Sequence, residues 1–295
     1  MKKIFPLIFV LLMTKSVNVY AELERRTDVE LLANHKNNLV FSYDFSSKDQ
    51  LDDWVVEGFG MANIAKGKLI LEPEFHKPML AMQKDGRFSN ENLAEEYGDE
   101  LADLVKEKYP SIVDSMYVND VFRGGHFNFW NKKQTPDNYS ISFDFESLSP
   151  EALHMIMFSA KGLNGKDVFS DKLAPRKGLA REIMYGDVGL YRISYFFPFR
   201  KTANMRKSPG RHLTTVGPDI AIERCEKECR MVITKWRDEV NYFVDDIHVL
   251  SYKDKDPLFS GNWGFRVMVL GKGAYSNINV YELNENPIYQ KTVLD

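Results

Sequence analysis

Apolar and polar residues alternate along much of this chain in short runs, the two-residue period of a strand with one buried face. The first clear run is Leu39-Val40-Phe41-Ser42-Tyr43-Asp44-Phe45. Further strands are predicted at Lys68 to Leu71, Tyr139 to Phe145, His154 to Ala160, Tyr191 to Phe197, Met231 to Lys235, Val240 to Val244, Trp263 to Leu270 and Asn277 to Tyr281. Turn signals such as Trp236-Arg237-Asp238-Glu239 and Gly261-Asn262 separate several of them. Many short strands and few helices predict an all-β fold, a sandwich of two antiparallel sheets. One stretch departs from the pattern. Leu93, Tyr97, Leu101 and Leu104 share a face at helical spacing, with Ser89 as a cap and Pro110 as a stop. This predicts a helical insertion over about 89–109, whose acids Glu95, Glu96, Asp99 and Glu100 read as a solvated face rather than a metal site.

Residues 1–21 change where the protein is expected to work. Lys2 and Lys3 precede the apolar run Phe5 to Met13, and Val19-Tyr20-Ala21 offers small residues for cleavage, the pattern of a signal peptide. The run is too short to span a bilayer, and Glu22 rather than Cys follows the cut, which argues against a lipid anchor. We therefore expect an exported protein, periplasmic or secreted, with one β-sandwich domain over 22–295 and no membrane span. In an oxidising compartment Cys225 and Cys229, the two cysteines of the chain, are expected to pair as a disulfide.

Charge narrows the partners. The full chain carries −3, and without residues 1–21 it has 36 basic against 42 acidic residues, a net −6. That balance disfavours nonspecific nucleic-acid binding, which depends on neutralising phosphates. An aromatic content of 13% with 44% hydrophobic residues excludes a disordered chain and suits strands. No phosphate loop, paired-histidine zinc motif, calcium loop or nucleophile elbow is present.

Three fragments carry candidate chemistry. In Gly125-His126-Phe127-Asn128-Phe129-Trp130, an extended backbone turns Phe127 and Phe129 toward the core and sets His126, Asn128 and Trp130 on the opposite face. An imidazole, an amide and an indole in a row suit a sugar, though a structural histidine beside a packed Trp is an equally good account. A second cluster includes Arg176, Tyr191, Arg192, Tyr195, Asn204 and Arg206, where guanidinium groups could grip a carboxylate or sulfate. Tyr191 and Tyr195 share one face of their strand and Arg192 the other, so all line one pocket only if the strand bends. In the third, Gly264-Phe265-Arg266, Arg266 would join the face of His126 if the two strands are neighbours.

Taken together, Gly125-His126-Phe127-Asn128-Phe129-Trp130, Ala174-Pro175-Arg176-x-Gly178, Tyr185-Gly186-Asp187, Tyr191-x-Ile193-Ser194-Tyr195-Phe196, Asn204-x-Arg206-Lys207-x-x-Gly210 and Gly264-Phe265-Arg266 resemble the YesU-like proteins, a bacterial family encoded beside polysaccharide-degradation genes. The resemblance spans roughly residues 40–283 and implies a concanavalin-type jelly roll, with a role on acidic glycans. It leads to an expectation of β-elimination on uronic-acid-containing poly- or oligosaccharides, sulfated ulvan-like ones among them, as a lyase or a dehydratase. His126 is the expected base and Tyr191 or Tyr195 the acid, with Asn128, Trp130, Arg176, Arg192, Asn204, Arg206 and Arg266 binding substrate. This chemistry needs no metal, and a structural calcium stays open. Glycoside hydrolysis, which needs a carboxyl pair, and noncatalytic glycan binding are the alternatives.

Overall fold

The computed structural model describes residues 38–74, 126–150, 152–268 and 271–287. The segments 1–21 and 89–109 discussed above lie outside the described residues. The chain runs β1 (Leu39–Tyr43), a 3-10 turn at Lys48–Asp53, β2 (Trp54–Gly58), β3 (Gly60–Ala65), β4 (Lys68–Pro73), β5 (Phe127–Asn131), β6 (Tyr139–Ser147) and β7 (Leu153–Gly162). It continues through α1 (Ala180–Tyr185), β8 (Val188–Tyr195), β9 (Thr202–Ser208), β10 (His212–Pro218), α2 (Ala221–Arg224), β11 (Cys229–Trp236), β12 (Glu239–Val244), β13 (Ile247–Lys253), β14 (Asn262–Met268) and β15 (Gly273–Glu282).

The strands make two antiparallel sheets. One has seven strands in the order β10-β9-β8-β7-β14-β5-β2. The other has eight, ordered β13-β12-β11-β6-β15-β4-β3, with β1 also paired to β15. Sequence neighbours repeatedly sit in opposite sheets, which is the connectivity of a jelly roll. The pattern reading misses β2, β3, β9, β10 and β13. Two predicted strands also end early, at Phe45 and Phe196, whose φ values of 52° and 51° turn the chain out of the extended region. The kink at Phe196 is held by the buried Asp219 carboxylate, which accepts the amides of Phe196 and Phe197 at 3.0 and 2.8 Å.

Between the sheets lies one aromatic-rich core. Trp54 stacks on Phe129 with ring centres 4.7 Å apart, and Phe265 meets Tyr275 at 4.3 Å. The Cys225–Cys229 disulfide is present and joins α2 to the start of β11. Inside the core His154 sits against Phe145, Tyr195 and Phe196. Its Nδ1 shares a hydrogen bond with the Tyr275 hydroxyl at 3.0 Å, while its Nε2 has no partner. Burial pushes this imidazole down to about 3.

The unfolded chain binds a proton at His154 below its ordinary value near 6.5, whereas the folded chain resists it until about pH 3. Stability from this group is complete above pH 6.5 and falls as the pH drops. Urea unfolding is expected to show a loss of about 2 kcal/mol from His154 between pH 7 and pH 5. His154→Phe should flatten that slope, and an unchanged slope would show that this histidine does not control acid stability.

Candidate functional site

The outer face of the seven-stranded sheet collects the polar side chains. Strand pairing lines them up in two rows that cross the sheet. One row reads Asn204, Ser194, Met155, Arg266, Asn128 and Glu57 from β9 to β2. The next reads Arg206, Arg192, Met157, Gly264, Trp130 and Val55. The alternation within each strand puts Phe129, Phe265, Ile156, Ile193 and Met205 on the other side, in the inter-sheet core.

Part of this face is roofed. Residues 163–187 leave the sheet after β7, carry α1 and return to β8, and the ends of the excursion meet where Leu163 N donates to Asp187 O at 2.8 Å. Val168, Leu173 and Ile183 from this segment pack with Trp130, Met157 and Leu190 into a second small apolar core. A chain of polar contacts locks the roof down. Arg176 pairs with Glu57 at 3.1 Å and donates to Val168 O at 2.8 Å. Glu57 accepts Asn128 Nδ2 at 2.7 Å, and Asn128 Oδ1 accepts Arg266 Nη1 at 2.5 Å. Arg266 Nη1 also reaches Gly178 O at 2.8 Å. Glu182 in the first turn of α1 accepts the amides of Lys177 and Leu179. Burial raises the Glu182 carboxyl above its ordinary value, with the Glu57 charge adding to the shift.

His126 immediately precedes β5, beside this network. It is 8% exposed, and its Nδ1 is buried without a hydrogen-bond partner. Burial, followed by the positive charge of Arg266, holds its imidazole well below the usual value, so it is neutral at pH 7.

The far end of the face is cationic. Arg192 is 4% exposed, donates to Ser208 Oγ and contacts Gly210 O at 3.5 Å. Arg206 stands opposite it in register and donates to Arg211 O at 2.7 Å. Arg200 donates to Ser194 Oγ at 2.8 Å, and the buried Asn204 Oδ1 has no partner. Burial and the neighbouring Arg206 and Arg266 lower Arg192 to about 10.

The structure therefore sorts the residues expected from sequence. It brings His126, Asn128 and Arg266 together, with Arg176 held at their edge by Glu57. Arg192, Asn204 and Arg206 form a separate group at the opposite end. Two expectations need correction. Trp130 has 0% exposure beneath the roof, so it packs rather than offering a stacking plane. Tyr191 and Tyr195 both point into the core, where Tyr191 donates to Asp254 at 2.5 Å and Tyr195 lies among Phe145, His154 and Phe143. Burial raises both hydroxyls above their ordinary value, and the sheet itself separates them from the outer face. Sequence reasoning missed Glu57, Glu182 and Arg200, because nothing local marks a contact such as Glu57 to Asn128 that closes over 71 positions. Among the described residues no three His, Cys, Asp or Glu side chains gather as metal ligands, and no helix is long and apolar enough to cross a membrane.

The seating of the roof can be tested at one glycine. Gly178 has φ +78°, and a Cβ there would run into the Glu57 carbonyl oxygen. Gly165 has nearly the same φ, +76°, with open space around it. Gly165→Ala should cost about 1 kcal/mol through backbone strain alone. Gly178→Ala should cost at least about 1 kcal/mol more by chemical denaturation and make residues 163–187 the first site of proteolysis. Equal costs would mean that the roof is not seated on the Glu57 backbone.

Known proteins place this geometry in a lineage. "Uncharacterized protein YesU" of Bacillus subtilis (strain 168) is 29% identical over 182 residues, covering 57% of this chain and 82% of that protein. A crystal structure described as a protein of unknown function with galectin-like fold, from Bacillus subtilis, superposes with a TM-score of 0.63 at 24% identity, over 83% of this chain and 96% of that one. The fold is thus a galectin-like jelly roll. Residues 101–280 match the family described as a domain of unknown function, DUF1961, and the chain belongs to that family.

Proposed function

We propose that this chain acts on an acidic saccharide bound across the outer face of its seven-stranded sheet, and that it catalyses β-elimination there. The observation that carries the proposal is the neutral, buried His126 with an unpartnered Nδ1, set beside the Arg266–Asn128 pair. Elimination removes the proton at C5 of a uronate, next to its carboxyl group, which requires a base and a positive field for the enolate-like intermediate. His126 supplies the base. Arg266 supplies the field, and its bond to Asn128 fixes its position.

With the core tyrosines out of reach, one imidazole has to serve twice. His126 takes the C5 proton, electrons move into a C4–C5 double bond, and the C4–O bond breaks. The imidazolium then returns that same proton to the leaving oxygen, which makes the elimination a syn process on one face of the ring. Imidazolium formed in this site is a strong acid, because burial and Arg266 both disfavour it. A free C4 hydroxyl leaves as water and gives dehydration; a glycosidic oxygen leaves as a saccharide hydroxyl and gives chain cleavage. The proposal includes export, which the Cys225–Cys229 disulfide supports.

Hydrolysis has one feature in its favour, the neighbouring carboxyls of Glu57 and Glu182, whose charges interact. Both, however, are already engaged in holding the roof. The test is ultraviolet absorbance of unsaturated uronates while the protein acts on oligosaccharides from ulvan, pectin and alginate. The account expects absorbance to rise with at least one of them, and His126→Gln to lower the rate about 100-fold or more while sugar binding persists. New reducing ends without absorbance, abolished by Glu182→Gln, would replace elimination with hydrolysis. Binding without either product would leave a saccharide-binding protein.

A further inference from the structure

Arg192 presents a physical problem that the reaction centre does not solve. It is a buried guanidinium whose contacts are a hydroxyl, Ser208 Oγ, and a carbonyl, Gly210 O. Directly opposite it in the β8–β9 ladder stands a second cation, Arg206. Among the described residues neither makes an ion pair, whereas Arg176, Arg224 and Arg230 each have a carboxylate within 4 Å. Like charges facing each other across a ladder repel, and a buried charge without a counter-charge is costly. Asn204, one row away, has a buried side-chain oxygen with no partner, so this end of the face is under-satisfied in more than one group.

Position separates this cluster from His126. Between β8 and β5 lie β7 and β14, three strand spacings or about 14 Å, and the two residues also stand in different rows. One sugar ring cannot touch both groups.

We propose that Arg192 and Arg206 form a second, anion-recognising subsite that holds a sulfate ester or carboxylate on a sugar unit remote from the one that reacts at His126. This rests on the saccharide reading above and makes the substrate an oligosaccharide with a charged group at a fixed distance from the reacting ring. An anion there supplies the counter-charge that the two guanidiniums lack, and their planar forks suit both sulfate and carboxylate oxygens.

Calorimetric titration on the His126→Gln background, in which turnover is suppressed, tests the subsite independently of the reaction. The probes are a sulfated, uronate-containing ulvan oligosaccharide, its desulfated form, its carboxyl-reduced form, and the form with both groups removed. Arg206→Gln, at a partly buried position, should raise Kd for the doubly anionic oligosaccharide about tenfold or more, and change Kd for the neutral form less than twofold. Arg192→Lys should retain more affinity than Arg192→Gln. Whichever singly modified form already binds weakly, and loses no more on Arg206→Gln, identifies the group the subsite holds. Equal losses for charged and neutral forms, or a parent that binds them equally or not at all, would overturn the proposal. Elimination in the wild type with no Arg206 effect would remove the subsite and leave the reaction. Arg206-dependent binding with no elimination would do the reverse.

Discussion

The arrangement of the outer face depends on how one buried cation, Arg266, is accommodated. Its guanidinium is 1% exposed and reaches Asn128 Oδ1 and the carbonyl of Gly178. Asn128 passes the contact on to Glu57, and Glu57 binds Arg176. This short relay crosses three adjacent strands and ends in the roof, so the charge that tunes His126 also fastens residues 163–187 to the sheet. Breaking one member leaves a buried charge uncompensated, which is the costliest kind of defect in a folded protein. The charge beside His126 and the tertiary clamp are therefore held by the same set of bonds.

The face divides accordingly. Around Arg266 the carboxylate and amide groups are paired, while the buried Nδ1 of His126 has no hydrogen-bond partner. Around Arg192 the groups are rich in positive charge, and among the described residues neither Arg192 nor Arg206 has an ion-pair partner. In the proposed reaction the first arrangement moves a proton and the second holds a charge in place. Met155 and Met157 lie between them, and Met157 is buried beneath the roof with Trp130.

Much of this was legible in the sequence. Alternation in Phe127-Asn128-Phe129-Trp130 and in Phe265-Arg266-Val267 fixed which side chains face outward, and the resemblance of several fragments to YesU-like proteins indicated the jelly roll. The missed strands explain themselves. β9 (Thr202–Ser208) carries Arg206 and Lys207 near the sandwich edge, and β10 (His212–Pro218) ends in Gly217 and Pro218, so neither shows a clean apolar face. Site composition was harder to read. Period-two parity already set Tyr191 apart from Arg192, yet only the packed sheets show that the tyrosine side is the dry core. The burial of Trp130 was invisible because its cover comes from residues 163–187, a segment without strand or helix periodicity outside α1. Glu57 belongs to the site through a contact formed only when β2 joins β5.

The central claim is that the outer face of the seven-stranded sheet, and no other surface, receives the saccharide. Hydrogen–deuterium exchange of the His126→Gln protein, with and without a uronate-containing oligosaccharide that it binds, measures this directly. The account predicts new amide protection concentrated in β5, β8, β9 and β14 and in the roof over 163–187. Protection confined to the eight-stranded sheet, around Asp144 and Arg230 on β6 and β11, would contradict it.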